Sequence, residues 1–266
     1  MKLADKFVIG VLCVILVSTV IGPQVTSYDP LRIDLDSIKQ SPSLEHPFGT
    51  DTKGRDILSR VLHGGRVSLS VALFAAFLSM GIGLVAGLVA GYAGGRIDAL
   101  LTALIDLVLS FPSLLLAIGI SVVLPPGIYT VMIAIAAVGW AAFARVIRGY
   151  VLTIKEMPYV ESAKAIGCSG TRILFRYLLP QCIPVSIVMI GLKLGGYIIT
   201  EASLSFLGLG QQPPSPSWGG MISAGRVYII SEPWIVFFPG IAIVITALCF
   251  NLLGDILRDR YGVRIK

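Results

Sequence analysis

The apolar positions of this chain fall in long runs separated by short polar segments. Six of these runs approach or reach the roughly 20 residues needed to cross about 30 Å of hydrocarbon. They are Phe7–Ile21, the shortest, then Val67–Tyr92, Leu100–Leu124, Ile128–Ala144, Ile183–Leu209 and Trp234–Leu253. The pattern predicts an all-α integral membrane protein with six transmembrane helices. Two parts follow from it: residues 1–66, an anchor helix and a polar segment, and residues 67–266, a core of five further spans. The first run has Lys2 and Lys6 ahead of it and a small-residue site, Val25-Thr26-Ser27, behind it, which is the outline of a signal peptide. The expectation is an uncleaved anchor.

Composition strengthens the membrane assignment. Of 266 residues, 55% are hydrophobic and 14% charged, and mean hydropathy is +0.87; soluble domains carry about 25% charged residues. The net charge of +6 is therefore read through the positive-inside rule and not as a nucleic-acid surface. With the N-terminus inside, Lys2, Lys6, Arg96, Arg145, Arg148, Lys155, Lys164, Arg172, Arg176, Arg258, Arg260, Arg264 and Lys266 are cytoplasmic, thirteen basic residues against seven outside. Six of those seven sit in Pro23–Arg66, which also carries six acids and is long enough for the rule to weaken. Both termini are thus expected in the cytoplasm, and lipid is the surrounding medium.

Candidate chemistry is sparse. Cys13, Cys168, Cys182 and Cys249 show no paired spacing, and His46 and His63 alone offer little to a metal, so no metal site is implied. No G-x-x-x-x-G-K-[ST] loop occurs. If ATP supplies the energy, another subunit must bind it.

The exception to the apolar pattern is Arg145–Gln181, expected to be the longest cytoplasmic loop. Ser162, Ala163, Ala165 and Ile166 suit a short helix with a small-residue face. Gly167–Gly170 permits a sharp turn, Thr171 is placed to cap a second helix, and Pro180 marks the boundary of the next span. A solvated connection and a helix offered to a partner both fit this composition.

Particular residues carry the resemblance that separates them. Glu161-Ser162-Ala163, then Gly167, then Leu179-Pro180 resemble the EAA loop of ABC-importer permeases, with serine in place of the usual first alanine. SFLGLGQQPPSPSWGGMI (205–222), HPFGTDTKGRDILSRVLHGGRVSLSV (46–71) and FNLLGDILRDR (250–260) are similar to signatures of the second permease subunit of the peptide, opine and nickel uptake group. The resemblance implies a type I importer fold and one half of a permease heterodimer with a homologous second permease subunit. It further implies two ATPase subunits that bind ATP and Mg, and an external substrate-binding protein. The chain itself would hold no cofactor and be no enzyme. Glu161, Ser162, Ala163, Gly167, Leu179 and Pro180 would couple it to the ATPases. Di- or oligopeptides are the expected cargo, with nickel or another metal chelate as the alternative.

Other residues admit two readings each. Gly83, Gly87, Gly91 and Gly95 form a small-residue stripe for close helix packing, with the neighbouring helix unspecified. Asp106, Lys193 and Glu201 lie within spans, where a charge needs a partner or water. An ion pair or snorkelling accounts for the first two. Glu201 is deeper, and either makes a structural hydrogen bond to the partner subunit or lines the pathway near the substrate or gate. Gly54–His63 reads as an amphipathic helix lying on the outer membrane surface. Trp218 and Trp234 are expected at the interface, around a proline-rich outer loop. An intramembrane hydrolase lacks a buried nucleophile with a base. An ATP-independent carrier has no use for an EAA-like loop.

Overall fold

The computed structural model describes residues 3–262, so Lys2, Arg264 and Lys266, counted above, lie outside the described residues. The described elements are helical, with one isolated bridge between Thr50 and Asp56. In order they are α1 (Leu3–Val25), α2 (Ile57–Ala93), α3 (Gly95–Ser110), α4 (Ser113–Val123), α5 (Ile128–Ile154), α6 (Pro158–Ala165), α7 (Gly170–Ile173), α8 (Leu179–Phe206), α9 (Trp218–Gly225) and α10 (Trp234–Tyr261). Among the described residues, five helical stretches are long and apolar enough to cross a membrane, and α3 with α4 makes a sixth if that pair is one span.

The most extensive contact is between α2 and α5, and glycine makes it possible. A Cβ on Gly83 would stand 2.4 Å from Phe143 Cβ, one on Gly87 2.7 Å from the Ala144 carbonyl, and one on Gly91 2.7 Å from Val151 Cβ. Hydrocarbon provides little hydrophobic drive between helices, so close backbone approach supplies the packing energy. The neighbour is therefore within this chain. The contact also runs in parallel register, since both numbers rise together. Gly95 does not belong to the stripe: α2 has ended, its φ is +56°, and a Cβ there would meet nothing within 4 Å. A second small-residue seam holds α8 against α10 in antiparallel register, with Gly191 on Gly254 and Gly195 on Ala247 and Asn251.

The third apolar run is not one helix. α3 and α4 meet at 92°, because Pro112 has no N–H and drives Phe111 into extended backbone at φ −94°, ψ 146°.

Residues 54–63 also depart from expectation. They do not form a separate surface helix, because α2 runs unbroken from Ile57 for 37 residues, about 55 Å at 1.5 Å per residue. The polar side of this stretch is buried under the segment 26–56. Asp51 accepts from Arg55 Nε (2.7 Å) and faces Arg60 Nε (3.4 Å), while Arg60 Nη1 donates to the Pro30 carbonyl (2.8 Å). Asp56 caps α2 at the Ser59 amide and meets His46 Nδ1 at 3.0 Å. Buried charges need such partners. Phe48 stacked on Phe238 at 4.0 Å ties the segment to α10. Trp218 is likewise buried and not interfacial: its Nε1 donates to the Val61 carbonyl (2.8 Å), pinning α9 to α2.

Asp5 and Ile9 share a cleft with Leu257 and Arg260, so the start of α1 and the end of α10 lie at the same end of the bundle. The seams with Gly91 and Gly191 place the end of α2, the end of α5 and the start of α8 there too.

Candidate coupling loop and translocation cavity

At that end α5 continues to Ile154, well past Ala144 where the span was expected to stop, so the connection to α8 is shorter than Arg145–Gln181. Pro158 opens α6, fitting the first turn of a helix where its missing N–H costs nothing. Gly167 closes the helix in the left-handed conformation at φ +82°. The Cys168 amide donates to the Ala163 carbonyl and the Gly167 amide to the Lys164 carbonyl, each at 3.0 Å. These two bonds form a Schellman stop, a position that favours glycine. The cap of α7 is Ser169, whose Oγ accepts from the Arg172 amide, and not Thr171. A π turn over Leu174–Leu178 leads into α8, with Leu179 and Pro180 in its first turn.

Four of the six expected coupling residues lie on α6 and its stop while Leu179 and Pro180 open α8, and they do not share one face. Ala163 is turned inward with Val160 and packs in an apolar cluster with Ile173, Leu178 and Val151. Glu161, Ser162 and Gly167 are exposed, as is Ile166 at 78%. Phe175, 66% exposed, stands beyond the turn. The cluster fixes how α6 is held, and the outward side remains free within this chain. Behind the projection, Arg148 grips Asp98 with two bonds and Lys155 Nζ donates to the Gly91 carbonyl (3.0 Å), so α2, α3 and α5 form one base.

Beside the α3–α4 bend lies a half-open cavity of about 530 Å³, lined from α3, α4, α5, α8 and α10. Its polar lining is Ser113, Lys193, Tyr197, Thr200 and Asn251. Glu201 is not part of it. That side chain is 1% exposed and lies one turn beyond Tyr197 along α8, where Ser205 Oγ donates to its Oε1 (2.7 Å) and Ser68 faces it. Ser68 Oγ also accepts from the Trp218 amide (3.3 Å), so Glu201 stands where α2, α8 and α9 meet. Asp106 contacts Arg145, which satisfies the ion-pair expectation, whereas Lys193 has no ion-pair partner among the described residues. Neither Tyr197 nor Asn251 carries a local signal that marks it as a lining group. The bend was legible in the residue preceding Pro112, whose bias away from helix applies within an apolar run as elsewhere.

An all-helical, multi-pass bundle with a short capped helix projecting between its fourth and fifth spanning stretches defines a membrane permease component. Residues 83–266 match the family described as binding-protein-dependent transport system inner membrane component, and the chain belongs to that family. It is 44% identical over 264 residues to the glutathione transport system permease protein GsiD of Escherichia coli O6:K15:H31 (strain 536 / UPEC), and equally to those of Shigella boydii serotype 4 and Shigella sonnei. Each alignment covers 99% of this chain and 86% of the relative. Among solved structures, the MetNI methionine ABC transporter in inward facing conformations has a chain that superposes with a TM-score of 0.61 at 16% identity, covering 77% of this chain and 97% of that one. A second crystal form gives 0.60 at 18% identity. The fold is that of a type I ABC importer permease, and the chain is an inner-membrane permease subunit, not an enzyme.

Proposed function

We propose that the chain forms half of the path through which an ABC importer passes di- or oligopeptides, paired with a homologous permease subunit. Two ATPase subunits would bind ATP and Mg on the cytoplasmic side, and an extracytoplasmic binding protein would deliver the cargo. α6 is the coupling element in this reading, and both termini face the cytoplasm. The observation that carries it is the α6 projection: a two-turn helix fixed by its own apolar cluster yet bare on its outer side, with Ile166 and Phe175 uncovered. Apolar groups left bare at a water-facing end fit the groove of a partner subunit. Peptide cargo is favoured over a nickel chelate because curated relatives are named for glutathione, a tripeptide.

The test is Gly167→Leu in the assembled complex. A Cβ at this position meets nothing within 4 Å among the described residues, so the substitution causes no clash within them. The substitution strains the left-handed stop by about 1 kcal/mol and places a bulky group against the ATPase. Uptake should fall while insertion persists, and ATP hydrolysis should no longer track cargo. Unchanged coupled transport would remove α6 from the mechanism.

A further inference from the structure

We propose that Lys193 binds a carboxylate of the cargo during its passage, making this cavity a selectivity site for carboxylate-bearing solutes. The inference rests on the peptide-import reading and extends it to a recognition chemistry inside the permease. Among the described residues, Lys193 is the sole charged one lining the 530 Å³ cavity. It sits fifteenth of 28 residues in α8, midway along that helix, and is exposed in this chain. An ammonium at that depth requires a partner anion or water, and none of the described acids is one. Asp98 and Asp106 are held by Arg148 and Arg145, and Glu201 faces α2 and α9.

Two further features of the same cavity suit an anion beside a chain of amides. α4 begins at Ser113 with no side-chain cap, so its first amides lie at the cavity edge, and a helix N-terminus favours negative charge. Tyr197 is 8% exposed and lines the cavity beside Gly139, with its hydroxyl facing Ser79 of α2. Thr200 and Asn251 add neutral donors and acceptors on the same wall. The volume lies in the range of about 300–1,000 Å³ typical of small-molecule sites.

The test uses the complete transporter and two peptides that differ only in a free or an amidated C-terminus, both held by the binding protein. Lys193→Met should lower uptake of the free-carboxylate peptide about tenfold or more, the loss of one charge-assisted contact, and change uptake of the amidated peptide little. Lys193→Arg should keep most of the preference. Equal loss for both peptides accompanied by weaker subunit assembly would mean that Lys193 pairs with an acid of the partner permease, and would overturn the proposal. Equal uptake of both by the wild type, or no effect of Lys193→Met, would also overturn it. If the wild-type complex imports neither peptide, the peptide-import reading fails on its own, independently of the variants.

Discussion

Arg148 on α5 and Asp98 in the first turn of α3 are joined by two parallel bonds, Nε to Oδ1 at 2.5 Å and Nη2 to Oδ2 at 2.8 Å. The pair closes the chain reversal between α2 and α3 against α5, and Thr102 adds a third bond to the same carboxylate. Both partners are partly buried, and the bidentate geometry puts the pair near the upper end of the range for such bridges, about 1 kcal/mol. Asp98→Asn should therefore lower the melting temperature of the purified complex modestly, and the exchange Asp98→Arg with Arg148→Asp should recover part of the loss. A double variant as unstable as the sum of its single variants would show that the two residues do not act as a pair.

The α2–α5 seam yields a sharper contrast. Gly87→Val places a branched side chain where even a Cβ stands 2.7 Å from the Ala144 carbonyl and 2.8 Å from Ile147 Cβ. Neither helix backbone can yield locally, so overpacking of about 1–3 kcal/mol or more is expected, with loss of folded protein from the membrane. Gly81→Ala on the same helix meets nothing within 4 Å and should be neutral or slightly stabilising, as alanine is the better helix former. Quantifying the detergent-extracted, monodisperse fraction of each variant separates the two. Similar yields would mean that the seam does not set the packing.

Glu201 is expected either to line the path or to bond structurally to the partner subunit, yet its bonds run within the chain, to Ser205 and Ser68 where α2, α8 and α9 meet. Glu201→Gln keeps the acceptor for Ser205 and should cost little stability, about 1 kcal/mol. Glu201→Ala strips Ser205 of its partner and opens a hole, so a loss of about 2–4 kcal/mol is expected. Thermal denaturation of the complex reads both. Lost transport in Glu201→Gln at unchanged stability would return Glu201 to the pathway.

How much of this could be read in advance depended on whether the signal was local. Apolar run length placed five of the spanning stretches, because the requirement for about 20 apolar residues acts on each segment alone. The stop at Gly167 was legible for the same reason, as a left-handed turn needs glycine wherever the helix sits. The folding of segment 26–56 was not legible. Arg55, Asp56 and Arg60 have the spacing of a solvated helix face, yet they are buried by Asp51, His46 and Pro30, residues up to 30 positions away. The surroundings of Lys193 were equally out of reach. Its neighbours in sequence admit snorkelling or an ion pair, while the cavity it lines is bounded by a bend at Pro112 on a different helix.

The sidedness of the bundle can be tested at two exposed lysines. Lys164 lies on α6 and Lys53 on the segment before α2, and neither side chain forms an ion pair among the described residues, so cysteine at either position should disturb little. The two ends of the bundle are fixed relative to each other by the fold: α6 shares an end with the start of α1 and the end of α10, while 26–56 covers the start of α2. One end must therefore face the cytoplasm, and the positive-inside expectation assigns it to the end with α6. With Cys13, Cys168, Cys182 and Cys249 replaced by alanine, Lys53→Cys should react with an impermeant thiol reagent in intact cells. Lys164→Cys should react only after the membrane is opened. Reversed labelling would invert the whole bundle, turning α6 away from any cytoplasmic ATPase and defeating the coupling role assigned to it.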